Sequence, residues 1–381
     1  MSDIEKQYTA CLLLGALGDT IGYKNEKAKY DRKQPIEEKI FAKDYNHSDM
    51  LLFGFIHEGG LSSINSVKGY LISDDTLMHM ATAKALIDNY DTKEELYESF
   101  ANEYLDSIKG EYTQETRNFG IKTLESLRKL ENKRGKLWNK SSQYEKNAGG
   151  NGGAMRAMCI GLAFHGKNQL NDLIEVSIES CRITHNNAIA YLGAVTTALF
   201  TSYAIQNINI GEWPQKLVEL LESDIIDKYI KKSPNYSSYE NQFLKDKDTF
   251  LNKWQKYIER RFTAGRFLVN DPTMIIPAAR SKFFNENFSY KQNDFNPGAS
   301  GDDVCIIAYD GLMSCNGSWE TLVVYTMLHM GDSDTTGSIA AAWYGAFNGL
   351  DTMISVDALD TIESHEKLLK YGKKLYEKYG E

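Results

Sequence analysis

Proline and cysteine are scarce: six and five respectively in 381 residues. The cysteines (Cys11, Cys159, Cys181, Cys305 and Cys315) are odd in number, irregularly spaced and free of any Cys-x-x-Cys pair. That pattern excludes a disulfide-stapled miniprotein and reads as free thiols in a reducing compartment. No apolar run approaches the ~20 residues that cross a bilayer. The opening Met1-Ser2-Asp3-Ile4-Glu5-Lys6 lacks the basic-then-apolar order of a secretory leader, so a cytoplasmic protein is the expectation. Basic charge is not in excess either. Fifty-two acids against 43 bases give a net charge of −9. Such a surface argues against nonspecific nucleic-acid binding and against anchoring on anionic membranes. No internal repeat, low-complexity tract or Gly/Ser or Pro linker interrupts the chain, which reads as a single domain over 1–381.

What is present is helical periodicity. Apolar residues recur at three and four over 6–18 (Tyr8, Cys11, Leu12, Leu17), with Gly18-Asp19 expected to end the run. The same spacing recurs over 77–87, 186–205, 336–349 and 360–378, and strand-like alternation is rare, so the chain reads as all-α. Residues 24–72 and 263–303 read as loops, and 223–262 as a Lys/Tyr-rich helical stretch with Trp254, Tyr257, Ile258 and Phe262 inside.

Two helix starts carry more acid than capping needs. Ser73-Asp74-Asp75-Thr76 precedes an apolar helix, and Gly331-Asp332-Ser333-Asp334-Thr335-Thr336-Gly337 precedes an Ala-rich one. Either alone reads equally well as an N-cap. Together they offer four carboxylates and flanking hydroxyls, which would repel if the two turns met unless cations lay between them. Such oxygens are hard ligands, suited to Mg²⁺, Mn²⁺ or Ca²⁺ rather than Zn²⁺. Gly149-Gly150-Asn151-Gly152-Gly153-Ala154-Met155-Arg156 is either a flexible turn or a backbone cradle for phosphate. It lacks the Lys-Ser/Thr of a P-loop. Thr184-His185-Asn186-Asn187 is a helix cap or a donor to phosphate or ribose. Gly298-Ala299-Ser300-Gly301-Asp302-Asp303, running on to Tyr309, is a plain loop or a nucleoside contact. His79 and His329 read as core or outer-sphere residues.

In this order the motifs resemble the ADP-ribosylglycohydrolases. The resemblance rests on Gly15, Gly18-Asp19 and Gly22, Ser73-Asp74-Asp75-Thr76-Leu77-Met78-His79, Asn151-Gly152-Gly153-Ala154-Met155-Arg156, Val176 to His185, Ile307-Ala308-Tyr309-Asp310 and Gly331 to Thr335. The runs Met155 to Leu162 and Ile307 to Asp310 are most similar to the ADP-ribosylarginine hydrolases. The resemblance implies an all-α orthogonal helical bundle with a binuclear Mg²⁺ centre, Mn²⁺ being an alternative. It implies Ser73, Asp74, Asp75, Asp332, Asp334 and Thr335 as metal ligands, with Asp74 and Asp75 also catalytic. It implies Gly149, Gly150, Asn151, Gly152, Gly153, Met155, His185, Ser300, Gly301 and Tyr309 as substrate contacts. The implied reaction removes ADP-ribose from a protein or peptide by hydrolysing the N-glycosidic bond between the distal ribose and an arginine guanidinium.

Three departures bear on the acceptor. A gap-free alignment puts Lys29 where relatives carry an entrance-loop glutamate, with Glu26 nearby. Asn186-Asn187 follows Thr184-His185 where arginine-specific relatives have His and Pro, and Asp302-Asp303 stands where a His-Asp pair is usual. Serine or free ADP-ribosyl compounds are therefore alternative substrates. An ADP-ribose-binding pseudoenzyme and a di-metal phosphate-ester hydrolase are alternative functions.

Overall fold

The computed structural model describes residues 3–31, 47–109, 117–131, 143–268, 271–289, 296–350 and 354–380. Helices dominate. Those that matter for the site are α1 (Asp3–Asp31), α2 (Asp74–Ile87), α3 (Lys93–Ser107), α4 (Leu170–Arg182), α5 (Ala188–Ile205), α6 (Glu240–Arg261), α7 (Val304–Ser314), α8 (Ser333–Asn348) and α9 (His365–Tyr379). Among the described residues the only sheet is a hairpin pairing Phe262–Thr263 with Arg266–Phe267.

Helix α1 does not end at Gly18-Asp19 as the sequence suggests; it runs on to Asp31. Gly15, Gly18 and Gly22 lie at i, i+3 and i+7, on one face, and that face packs against α8. A Cβ on Gly18 would collide with the Gly337 carbonyl, and one on Gly22 with the Ser333 carbonyl. The glycines therefore serve close helix approach rather than a turn. The contact sets the middle of α1 beside the first turn of α8.

Helix α5 is the central post. It is apolar enough by length and composition to cross a membrane, yet 94% of it is buried inside the protein. Its Phe200 meets Trp213, Trp254, Tyr309 and Trp343 at ring-centroid distances of 5.3 to 5.6 Å. Each such pair adds ~0.5–1.5 kcal/mol beyond the area it buries. Trp343 Nε1 donates to Thr197 O at 3.1 Å and Trp213 Nε1 to Ile208 O at 3.0 Å, whereas the buried Trp254 Nε1 has no partner among the described residues.

Both expected loops contain helix. Within 24–72, α1 continues to Asp31, His47–His57 is α-helical and Gly60–Asn65 is 3₁₀; residues 32–46 lie outside the described set. Within 263–303, Pro277 opens a helix to Asn287, the position where its missing N–H costs nothing. The 223–262 stretch is two helices, Ile225–Ile230 and α6, separated around Pro234 and the left-handed Asn235 (φ 60°). All five cysteines are buried and free.

Candidate active site

Helix α2 begins with Ser73, whose Oγ accepts from Asp75 N at 3.1 Å. A second cap comes from α1. Asp19 Oδ2 accepts from Ser73 N at 3.0 Å and Thr76 N at 3.2 Å, and also from the Thr76 hydroxyl. Asp19 thus holds the first turn of α2 from outside the helix and leaves Asp74 and Asp75 free of capping duty. Arg117 fixes the segment before α2: it donates to Ile72 O at 2.8 Å and bidentately to Glu363, at 2.6 and 2.7 Å.

Helix α8 begins at Asp332. Asp332 N donates to Pro297 O at 2.9 Å, and Asp332 Oδ2 accepts from Asn151 Nδ2 at 3.0 Å. His329 pins the turn before it, accepting from Gly331 N at 3.0 Å and bonding Thr336 Oγ1 at 2.7 Å. From α1, Glu26 Oε1 accepts from Ser333 N at 2.7 Å. Carboxylate oxygens of Glu26, Asp332 and Asp334 lie within 4.8 Å of one another.

The two acidic turns face each other. Burial first, and then the charges of Asp19, Asp74 and Asp332, push Asp75 well above the usual carboxylate range, while its hydrogen bond with Thr335 pulls the other way. Asp74 is raised by burial, then Asp19 and Asp332. Asp334 is raised by burial, then Glu26, Asp332 and Asp75. Asp19 is raised to about 6, chiefly by burial. Carboxylates on α2 therefore feel carboxylates on α8 across the cleft. Asp75 Oδ2 and Asp19 Oδ1 are buried with no hydrogen-bond partner among the described residues. An all-oxygen donor set with unspent lone pairs and mutual repulsion fits a hard divalent cation, and Glu26, Asp332 and Asp334 are the carboxylates that converge closely enough to share one.

The glycine loop closes one side. Gly150 bridges to Ser300, Asn151 N donates to Ala299 O at 3.2 Å, Gly301 N to Gly149 O at 2.9 Å, and Ser300 Oγ to Gly149 O at 3.0 Å. Asn151 Nδ2 reaches both Gly298 O (2.8 Å) and Asp332, so the loop is tied directly to the acidic turn. The His185 ring packs beneath it: a Cβ on Gly152 would stand 2.6 Å from His185 Cε1. Met155 is buried at the end of the loop.

Thus Ser73, Asp74, Asp75, Asp332, Asp334, Thr335, Gly149 to Gly153, His185, Ser300 and Gly301 form one neighbourhood. Tyr309 does not join it. It is fully buried in the aromatic core, its hydroxyl donating to Ile210 O at 2.9 Å, because α7 turns that face toward α5 and α6. His79 is also remote from the acids in its contacts: it pairs with Cys159 Sγ at 2.7 Å in the core. Sequence reasoning missed Asp19 as a cap and left Glu26 undecided. Asp19, Tyr23 and Glu26 fall at i, i+4 and i+7 of one helix, and that polar stripe was the available signal. The side chain of Lys29 lies outside the described set.

The sequence model of the ADP-ribosylglycohydrolase family matches residues 1–381. A mimivirus (Acanthamoeba polyphaga mimivirus) protein named as an ADP-ribosyl glycohydrolase is 37% identical over 340 residues, covering 87% of this chain and 62% of the viral protein. The ADP-ribosylhydrolase ARH1 of Dictyostelium discoideum is 35% identical over 360 residues, 89% of this chain and 86% of that one. The ADP-ribosylhydrolase ARH3 of Xenopus tropicalis is 24% identical over 315 residues, 81% of each. A solved structure titled as an ADP-ribosylglycohydrolase-related protein complex superposes with a TM-score of 0.59 over 100% of both chains at 14% identity, a likeness of fold. With paired acidic helix starts, a glycine loop tied to one of them and a family match from end to end, the chain belongs to the ADP-ribosylglycohydrolases.

Proposed function

We propose that the protein is a Mg²⁺-dependent hydrolase that releases ADP-ribose from ADP-ribosylated side chains, with arginine as the acceptor. The observation that carries this reading is the meeting of the two acidic turns beside the glycine loop, with Asp75 Oδ2 buried and unpartnered. The arginine acceptor is supported by the Met155 to Leu162 and Ile307 to Asp310 runs and by the likeness to the Dictyostelium protein.

Two divalent ions bound by Ser73, Asp74, Asp75, Asp332, Asp334 and Thr335 would balance the carboxylates and supply Lewis acidity toward water. The chain does the rest. Backbone N–H groups of Gly149, Gly150, Gly152 and Gly153 can approach a diphosphate closely because those positions carry no side chain. Asn151 couples that grip to Asp332, so the sugar beyond the diphosphate is placed over the acids. Departure of the acceptor from C1″ develops positive charge on the ribose, which Asp74 and Asp75 stabilise. Asp75, with one oxygen unspent, is placed to orient the attacking water. Asp19 keeps the α2 amides occupied so that these carboxylates point into the cleft.

The test is incubation with an ADP-ribosylarginine peptide, with and without Mg²⁺, and chromatography of the products. Mg²⁺-dependent release of ADP-ribose is expected. Binding of ADP-ribose without release under any divalent metal identifies a pseudoenzyme and overturns the reading, as does release of inorganic phosphate. Release from ADP-ribosylserine and not from the arginine peptide overturns the acceptor alone.

A further inference from the structure

Arg156 is fully buried, yet its Nε and Nη1 have no hydrogen-bond partner among the described residues. Its guanidinium stacks over Tyr104, 4.2 Å from the ring centroid, and only Nη2 is engaged: it donates to Ser180 O and to Thr184 Oγ1, each at 2.8 Å. A buried cation with most of its donors unspent is a costly way to support a core. Besides the Ser180 carbonyl, what it supports is one hydroxyl. Thr184 Oγ1 lies 2.8 Å from His185 Nδ1.

The proton count then has one solution. A guanidinium only donates, so Thr184 Oγ1 accepts from Arg156. The hydroxyl has one proton of its own, and the only acceptor bonded to it among the described residues is His185 Nδ1. Leaving a buried hydroxyl proton unpaired costs ~1–3 kcal/mol. Thr184 therefore donates to Nδ1, and the ring's own proton sits on Nε2. That nitrogen has no partner among the described residues and lies against the glycine loop, 3.4 Å from where a Cβ on Gly150 would be. Burial, then the charges of Arg156 and Lys122, push the His185 ring down to about 3, so it stays neutral at physiological pH.

We propose that Arg156 and Thr184 are positioning residues that lock His185 in its Nε2–H tautomer, so that the cleft meets a hydrogen-bond donor aimed at a ligand oxygen. Identifying that oxygen as phosphate or ribose rests on the function proposed above; the lock itself does not. The opposite tautomer would present a lone pair to the same oxygen and repel it.

The test reads the tautomer directly. Two-bond ¹⁵N–¹H spectra of metal-free protein, with His185 assigned by its loss in His185→Gln, should show Nδ1 unprotonated and Nε2 protonated, unchanged between about pH 5 and 8. Thr184→Ser should keep this pattern and Thr184→Val should give mixed tautomers. Calorimetric titration of ADP-ribose without divalent metal should weaken about tenfold in Thr184→Val and recover to within about twofold in Thr184→Ser. A wild-type spectrum with the proton on Nδ1, or a Thr184→Val spectrum identical to wild type, overturns the proposal. If Thr184→Val does not fold, the wild-type and Thr184→Ser spectra decide alone. If no form binds ADP-ribose while the tautomer pattern stands, the ligand assignment fails and the lock holds.

Discussion

Two places in this molecule bury carboxylates, and they solve the same electrostatic problem in opposite ways. Asp310 is fully buried, and burial alone would raise it, but the guanidiniums of Arg280 and Arg261 outweigh that and hold it below its ordinary value. Arg261 Nε reaches Asp310 Oδ1 at 2.6 Å, Tyr257 donates to the same oxygen at 2.8 Å, and Arg280 pairs with Oδ2. Every countercharge is supplied by the chain. In the cleft, Asp74, Asp75 and Asp334 are also buried and are raised instead, because burial is joined by further carboxylates. There the chain gathers charge of one sign and stops. A closed set of ion pairs is scaffold; an open one is what a receptor for cations requires.

The comparison can be broken at its strongest point first. Arg261→Ala leaves Asp310 with half its compensation, and loss of one partner from a buried pair costs ~3–5 kcal/mol. The expected result is a sharp drop in unfolding free energy by denaturant melts. Mg²⁺ affinity of whatever folded protein remains should be unchanged. Asp75→Asn or Asp332→Ala should do the reverse. Helix content by circular dichroism should be kept, while Mg²⁺-dependent release of ADP-ribose should fall by more than about 100-fold, since even outer partners of metal ligands are worth 10–100-fold. Full activity of Asp332→Ala would mean that the two turns do not share one site.

A smaller effect sharpens the role of the glycine loop. Gly152→Ala places a methyl 2.6 Å from the His185 ring. We expect KM to rise about tenfold, near the ~1–3 kcal/mol of an overpacked contact, with kcat changed less. An unchanged KM would move the phosphate grip elsewhere.

The smallest effect is on pH dependence. Asp19 is raised to about 6, and Asp74, Asp75 and Asp334 shift in the same direction. An acid raised in the folded state binds protons more tightly there than in the unfolded chain, where it titrates near ~4. Folding of the metal-free protein is thus least favoured at alkaline pH and gains as pH falls through the folded values. His79 and His185, both held down to about 3 by burial, work the other way: stability is lost as pH falls below ~6.5, where the unfolded chain takes up their protons. The difference between parent and Asp75→Asn cancels the histidines. Thermal melts from about pH 8 to about pH 5 should therefore rise more steeply in the parent than in the variant, by ~1 kcal/mol per raised pKa unit. Saturating Mg²⁺ should flatten that difference. A parent and variant with parallel profiles would show that Asp75 carries no excess proton affinity.

Much of this was legible in the sequence because it is local. Helix periodicity fixed α2, α5 and α8 to within a few residues, and Ser73-Asp74-Asp75 and Asp332-Ser333-Asp334 declared themselves by sitting before them. The failures are cases where a local cue has a distant cause. Gly18-Asp19 looks like a helix end until α8 is laid against Gly18 and Gly22. Tyr309 follows a glycine loop in sequence, yet the rotation of α7 puts its ring among Phe200, Trp254 and Tyr257. Pro277 lies in the stretch expected to be loop and acts as a helix start.

The sequence by itself determined the helical class, the two acid-bearing helix starts and the glycine loop, because capping, periodicity and backbone access are settled within a few residues of chain. Only the tertiary structure decided that the two starts face each other, that Asp19 and Glu26 of α1 serve both, and that Arg156 reaches His185 through one hydroxyl. Those facts depend on which helices touch, and contact between residues tens to hundreds of positions apart is set by packing, which short-range pattern does not encode.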